Sequence, residues 1–418
     1  MLTQLQEKTD KSTGINKEWT IALALGTIHA LMVAVVNKIV PNPYMDEIFH
    51  IRQTRRYCDG DYTWDPMITT PPLLYIISMP LCGGHERYIN SILLPFTFIG
   101  ACRFRAMFTG EGETVLVPAL SVVLLPVLFH SSLLFYTDLL SLTLVLWAFS
   151  STNKYIVAFF FGLSLFCRQT NIVWAGLFAA LDLCKNIKKE QLVKSLLKGC
   201  LDLWPFILLA GGFLAFVVKN GGIVLGDPDA HRPQFHCCQL LYFCVFACFT
   251  ASFSLLEYAK PILQSFFQWR TVLFTAAIAL IVHHFSLAHP YLLADNRHVP
   301  FYLWRWILSK PIYRQLLIPV YVVCFYAVDQ LCKGVTPIAR LFFALATIAV
   351  LLPAHLIEPR YFIIPYVLWR LSAETRSRLL CTLEALFQIC VFAPLFYMFL
   401  YKPFEWSHEP GDLQRFMW

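Results

Sequence analysis

The chain has 418 residues, of which 58% are hydrophobic and only 14% charged, with a mean hydropathy of +0.59. A soluble domain carries roughly 25% charged residues, so this composition excludes an ordinary soluble globular protein. The net charge of +7 is spread among loops rather than massed in a tail, which excludes an electrostatic nucleic-acid binder.

In chain order, residues 1–19 are polar and charged, and the segment after them lacks a small-residue cleavage site, so Ile21 onward reads as a retained anchor. Apolar runs then recur to the end: Ile21 to Val36, Val115 to Phe129, Leu133 to Phe149, Tyr155 to Phe166, Trp204 to Val218, Leu240 to Leu256, Val272 to Leu287, Leu316 to Val328, Leu341 to Leu352 and Ala385 to Tyr401. About 20 apolar residues cross the hydrocarbon as a helix. The reading is an all-α polytopic membrane bundle of about ten to thirteen spans, with residues 1–418 as one membrane domain and 1–18 as a cytosolic tail. Lys185, Lys188, Lys189, Lys194 and Lys198 mark a cytosolic loop, and Lys8, Lys11 and Lys17 favour a cytosolic N-terminus. The loop from Pro41 to Thr70 carries Asp46, Glu47, Asp59, Asp61 and Asp65 against Arg52, Arg55 and Arg56, and reads as lumenal or extracellular. Within it, Ile48, Ile51 and the arginines recur at three- and four-residue spacing, which predicts an interfacial helix that Asp46 can cap.

Fourteen cysteines are scattered, mostly in apolar runs, with no C-x-x-C pair. Cys58 is the one cysteine of the acidic loop, and its redox state stays open. No internal repeat of the kind that builds duplicated transporters is visible. Ionisable groups at membrane depth are costly enough to be functional suspects. A transporter or lipid scramblase would place them near the bilayer midplane, whereas here the acids cluster after the first apolar run. A non-catalytic membrane partner that retained the fold is the third reading.

A set of motifs narrows these readings. Tyr44-Met45-Asp46-Glu47-Ile48-Phe49-His50, Trp64-Asp65-Pro66, Tyr136-Thr137-Asp138, Cys167-Arg168-Gln169-Thr170-Asn171, Asn220-Gly221-Gly222 with Gly226-Asp227, His289-Pro290-Tyr291 through Asp295-Asn296-Arg297-His298, Arg360-Tyr361-Phe362 and Leu413-Gln414-Arg415-Phe416-Met417-Trp418 follow one another in order. From about residue 41 onward the chain resembles the endoplasmic-reticulum glucosyltransferases that add the last glucose to the dolichol-linked oligosaccharide of N-glycan assembly. The resemblance implies a GT-C type membrane glycosyltransferase with a catalytic first lumenal loop. Its donor would be dolichyl-phosphate glucose, its acceptor the diglucosylated dolichyl-pyrophosphate-linked oligosaccharide, and its setting the endoplasmic-reticulum membrane. It calls for no metal or other cofactor, and no protein partner is assigned.

Transfer from a β-linked lipid phosphate to an α-linkage inverts the anomeric carbon and needs one base and help for the departing phosphate. By resemblance Asp46 is that base; the other reading makes it only the helix cap. Glu47 is assigned with it to the catalytic pair, either positioning the acceptor or orienting the loop. Arg297 and His298, then His289 and Arg360, are assigned to the donor phosphate through charge-assisted hydrogen bonds. Arg297 has an alternative partner in Asp295, and Arg168 reads as an ion-pair partner for Asp138. His50, Trp64 and Asp65 are assigned to substrate positioning, with the interfacial aromatic belt as the alternative for Trp64. Asn220-Gly221-Gly222 reads as a permissive turn, and Asp227, Asp229 and His231 lack the scaffold of a metal site.

Overall fold

The first long apolar run forms helix α1 (Ser12–Ile39), about 42 Å long at 1.5 Å per residue, which exceeds the hydrocarbon thickness. The computed structural model describes residues 12–110, 113–227 and 233–418. Lys8, Lys11, Asp229 and His231, named above, lie outside the described residues. Among the described residues nearly all regular structure is helical, with one antiparallel hairpin, β1 (Phe404–Trp406) and β2 (Glu409–Gln414), near the C-terminal end.

Among the described residues four helices are long and apolar enough to cross a membrane, and up to seven spans result if each bent helix pair counts as one. The sequence-based count of ten to thirteen exceeds this because chain breaks cut apolar runs into helices shorter than a bilayer. The run from Val115 to Phe129, for instance, bends by 63° between Thr114–Val123 and Pro126–Ser132, where Pro126 has no amide N–H to continue the preceding ladder. Four further apolar helices, Asp138–Ser150, Lys154–Leu165, Trp269–His284 and Pro337–Leu351, are shorter than the spanning length.

The chain groups into two compact units. One comprises Met1–Met107, Ser131–Arg232 and Thr336–Val350, the other Phe108–His130, Pro233–Val335 and Leu351–Trp418.

In the first unit, α1 leads to the predicted interfacial helix, α2 (Glu47–Cys58), then to α3 (Leu73–Ser78) and α4 (Tyr88–Thr109). Gly26 lets α1 and α4 approach closely, since a Cβ there would sit 2.7 Å from the Pro95 ring. His29, buried in α1, bonds Ser91 Oγ at 2.8 Å and Ser132 Oγ at 2.9 Å, satisfying both ring nitrogens in an apolar setting. Beneath α2 lies a core of Ile51, Tyr57, Ile68, Leu74, Tyr75, Ile89, Phe135, Leu140, Leu144 and Cys167. The helix Trp204–Asn220 ends on Gly221 at φ +75°, a left-handed cap that glycine adopts without strain. Gly226 then passes so near the Pro66 and Ile68 carbonyls that any Cβ would collide with them, and Asp227 N–H donates to Pro66 O at 3.2 Å. The Gly-rich stretch is thus a turn buttressing the acidic loop.

The second unit is held by a fully buried ion pair, in which Arg370 donates to Glu384 through Nε at 2.7 Å and Nη2 at 3.0 Å. Ser121 donates to Glu384 at 2.9 Å, and Arg370 Nη2 donates to Ser254 at 2.7 Å. With these partners the pair meets the hydrogen-bonding demand that makes a buried charge tolerable.

Candidate functional site

The acidic loop is built around the entry to α2. Met45 has φ +56°, a left-handed conformation that costs a non-glycine residue on the order of 1 kcal/mol and persists only where surrounding contacts enforce it. The enforcing contacts belong to Glu47. Its buried carboxylate receives Arg87 Nε at 2.9 Å on Oε1 and Nη2 at 2.7 Å on Oε2, together with the Tyr44 N–H at 3.0 Å and the Phe135 N–H at 2.5 Å. Arg87 also donates to Asn37 Oδ1 and to the Val40 and Asn42 carbonyls, so this one pair fastens the end of α1, the start of α2 and the start of α4. Of the two roles open to Glu47, this geometry supports orientation of the loop.

Asp46 occupies the N-cap position of α2, but its side chain makes no capping hydrogen bond, so the capping alternative is not what the structure shows. It is half-buried, and its negative charge contributes to the environment of Tyr75. Burial above all, with Asp46 adding to it, holds the Tyr75 phenol well above its usual pKa, so Tyr75 stays a neutral donor. Tyr75 Oη shares hydrogen bonds of 2.7 Å with His50 Nδ1 and 2.8 Å with Thr70 Oγ1. Trp64 lies against Tyr75 with ring centroids 6.0 Å apart, and its buried indole N–H has no hydrogen-bond partner among the described residues. Asp65 is buried; its N–H donates to Gln53 Oε1 at 3.0 Å and its Oδ1 accepts the Met67 N–H at 3.0 Å, a local turn lock. His50 and Trp64 therefore meet at Tyr75, while Asp65 is held on the same loop by Gln53 and Met67.

Cys58, at the end of α2, forms a disulfide with Cys82, which ties the helix to the segment preceding α4. Cys82 and Arg87 thus tie the segment before α4 to the loop from Pro41 to Thr70. Cys82, Arg87 and Tyr75 all escaped sequence reading. The signal for Arg87 was available in His85-Glu86-Arg87, a charged triplet immediately before an apolar helix. Arg168 pairs with Asp138 at 2.9 Å, as their motifs predict.

The basic residues gather in the second unit. Arg297 donates to Asp295 through its N–H at 3.0 Å, Nε at 2.9 Å and Nη2 at 2.8 Å, and to Gln414 Oε1 through Nη1 at 2.7 Å. Its guanidinium lies 4.6 Å from the centroid of Trp406. The Asp295 pairing is the alternative that the sequence left open, and it is present. Burial opposes ionisation of Asp295, yet hydrogen bonds from His298 and Arg297 hold its carboxyl well below the usual range. His298 Nε2 lies 3.5 Å from Asp295, while its buried Nδ1 has no hydrogen-bond partner among the described residues. Arg360 donates to Glu358 at 3.2 Å, and Glu358 also accepts the Trp418 indole N–H at 3.1 Å. Burial likewise opposes the charge on Glu358, and Arg360 and His298 prevail over it. His289 caps a short helix by accepting the Tyr291 N–H at 3.1 Å and lies against His355 at 4.7 Å between ring centroids. The closing motif explains itself here: Met417 N–H donates to Arg297 O at 2.7 Å and Val299 N–H to Trp418 O at 3.1 Å, so the terminal segment runs along residues 297–299.

Among the described residues no three His, Cys, Asp or Glu side chains gather at metal-binding range. What the acidic loop offers is a half-buried carboxylate beside an immobilised polar cluster, an arrangement suited to proton abstraction from a positioned hydroxyl.

The model of the DIE2/ALG10 family matches residues 40–195 and 184–371. A protein of Arabidopsis thaliana is 34% identical, with 95% of this chain and 99% of the relative aligned. Relatives from Mus musculus and Homo sapiens are each 32% identical, with 94% of this chain and 96% of the relative aligned. All three bear the name Dol-P-Glc:Glc(2)Man(9)GlcNAc(2)-PP-Dol alpha-1,2-glucosyltransferase. No solved structure matches the chain.

Proposed function

The chain belongs to the DIE2/ALG10 family, and from that membership we propose that it is an inverting glucosyltransferase of the endoplasmic-reticulum membrane. Its donor is dolichyl-phosphate glucose. Its acceptor is the dolichyl-pyrophosphate-linked oligosaccharide carrying two glucoses, to which it adds the third in α-1,2 linkage, completing the N-glycan precursor. The full-length likeness to enzymes of that name carries this reading.

Asp46 serves as the general base. The acceptor hydroxyl gives its proton to the Asp46 carboxylate as its oxygen attacks the anomeric carbon, and dolichyl phosphate leaves from the opposite face. A positioned base contributes about 10² to 10⁴-fold in rate. The supporting observations are that Asp46 makes no capping bond and that Glu47 fixes the backbone beside it. Glu47 acts as the anchor of the loop rather than on the reacting atoms. His50, Trp64 and Asp65 remain assigned to substrate positioning, supported by the meeting of His50 and Trp64 at Tyr75 and by the fixing of Asp65 on the same loop. The donor phosphate remains assigned to Arg297, His298, His289 and Arg360; the partnerless Nδ1 of His298 supports this, and the carboxylate partners of the two arginines would leave them to act by orientation and field.

The loop faces the lumen. The Cys58–Cys82 disulfide supports that side, since such bonds persist in oxidising compartments, and so does the lysine-rich segment from Lys185 to Lys198 as a cytosolic loop.

The test is an in vitro transfer assay with purified protein, dolichyl-phosphate glucose and the diglucosylated acceptor in EDTA. Wild type transfers one glucose and Asp46→Asn, folded, transfers none. Absence of transfer by folded wild type would overturn the reaction, and full activity of Asp46→Asn would remove Asp46 as base.

A further inference from the structure

The lysine-rich segment from Lys185 to Lys198 has no part in the reaction above. Helix Ile172–Asn186 ends on a turn through Lys188, after which a second helix forms over Leu192–Asp202. The Lys188 N–H closes the turn by donating to Ser195 Oγ at 3.2 Å. The two helices pack where Gly199 meets Leu183: a Cβ at Gly199 would lie 2.5 Å from Leu183 Cδ1, so the absence of a side chain lets that leucine close against the backbone. After the single residue Leu203 the apolar helix Trp204–Asn220 begins, bent by 65° from Leu192–Asp202. It has 17 residues and is therefore about 26 Å long, close to the hydrocarbon thickness. Trp204 is exposed at its start and Lys219 at its end, and residues of these types settle at the two membrane–water boundaries. With Trp204 at one boundary, the 65° bend turns Leu192–Asp202 most of the way into the plane of the membrane surface.

The packed side of this short helix is narrow: Gly199 is buried, and Ser195 and Leu196 are half-buried. On its open side Val193, Leu197 and Leu201 recur at steps of four residues and are 69, 62 and 73% exposed, a continuous apolar strip that no other part of the described chain covers. Lys194 and Lys198 run along the edge of that strip, and Lys185 and Lys188 stand exposed on the turn before it. The acids of the segment are Asp182, Glu190 and Asp202. Asp182 is taken by Lys154 at 2.8 Å. Glu190 and Asp202 stand four residues from Lys194 and Lys198 in sequence, yet among the described residues no ion pair joins them. The surface therefore carries four exposed lysines against two exposed acids, beside an open apolar strip. An apolar stripe edged by lysines is the pattern of a helix that lies in the head-group plane, its side chains dipping toward the acyl chains.

We propose that Leu192–Asp202 is an in-plane helix that binds anionic phospholipid. Val193, Leu197 and Leu201 enter the acyl boundary, and Lys185, Lys188, Lys194 and Lys198 take the lipid phosphates. The occupant is the bilayer rather than a soluble partner, because Leu203 joins the strip directly to a helix whose Trp204 marks the membrane boundary. The site is independent of the glucosyltransferase reading. Only the leaflet rests on the topology given above, which makes it cytosolic, the leaflet that carries anionic lipid.

The test is hydrogen exchange of the full-length protein, one copy per nanodisc, in discs of phosphatidylcholine alone and in discs enriched in phosphatidylinositol. The amides of residues 192–202 exchange at least about fivefold more slowly in the anionic discs, the weight of a single lysine at an anionic surface. Salt at about 1 M removes the difference by screening. Replacing Lys185, Lys188, Lys194 and Lys198 together by Gln also removes it, while exchange in phosphatidylcholine stays as in wild type. Leu197→Ser with Leu201→Ser speeds exchange of the same amides in both kinds of disc, because the strip no longer holds the helix at the acyl boundary. Equal exchange of wild type in the two lipids overturns the proposal, and so does a difference that survives the lysine substitutions or that appears only in discs holding two copies. Unchanged exchange in the leucine variant overturns the in-plane placement. The comparison of lipids in wild type needs no variant and is independent of any folding defect.

Discussion

Arg87 grips both oxygens of Glu47, Nε to Oε1 at 2.9 Å and Nη2 to Oε2 at 2.7 Å, across 40 residues of sequence and in a setting closed to solvent. Removing one member of such a pair leaves an uncompensated buried charge, at a cost of about 3–5 kcal/mol. Glu47→Gln therefore lowers thermal stability in detergent, whereas Asp46→Asn leaves the melting temperature near that of wild type and removes transfer. Equal melting curves for the two variants would refute this separation of anchor from base.

Tyr75 connects His50 with Thr70 through bonds of 2.7 and 2.8 Å. Tyr75→Phe keeps the ring packing and deletes both bonds, leaving a buried imidazole nitrogen short of a partner at a cost of about 1–3 kcal/mol. The expected outcome is a drop in kcat of about tenfold or more through loosened positioning, measured beside a melting curve. A rate within twofold of wild type would show that the hydroxyl is idle.

Cys58 and Cys82 enclose a loop with a sequence separation of 24. Closing a loop of that size stabilises by about 3 kcal/mol in the chain-entropy account. Cys58→Ser is expected to lower the melting temperature. In sealed microsomes, impermeant maleimide should label neither cysteine until the membrane is opened and the bond reduced. Labelling of Cys58 in intact microsomes without reduction would contradict both the bond and the lumenal placement.

The Asp295 carboxyl sits below the usual carboxylate range, because hydrogen bonds from His298 and Arg297 outweigh burial. A carboxyl with a lowered folded pKa contributes stability that is fully present above its unfolded value of about 3.9 and is lost as pH falls below that value. Wild type should therefore lose melting temperature more steeply below about pH 4 than Asp295→Asn does. At neutral pH the variant should already be the less stable of the two. Parallel melting profiles from pH 7 to pH 3 would refute the linkage.

Much of the architecture was legible in the chain because its cues are local. Apolar runs identify a helical membrane protein, and the spacing of Ile48, Ile51, Arg52 and Arg55 identifies α2 before any coordinates are considered. The acidic loop could also be located, since paired acids beside an apolar run stand out at sequence level. The closeness of Arg168 to Asp138 followed from their motifs. Span number was harder: proline breaks and bends such as the 63° one after Val123 depend on which neighbour replaces the lost backbone bonds.

What distinguishes Glu47 from Asp46 was decided only by the tertiary structure. Adjacent carboxylates are chemically alike in sequence, and what separates them is Arg87, brought to one of them from the start of α4. The same holds for Cys82, which meets Cys58 only once α2 and the turn before α4 are packed. Arg297 likewise carries a local cue for Asp295, but its bond to Gln414 exists only because the terminal segment folds back along it. Periodicity and composition report what each segment wants from its solvent; which charge a distant segment delivers is set by packing, and packing is what brings Arg87 to Glu47.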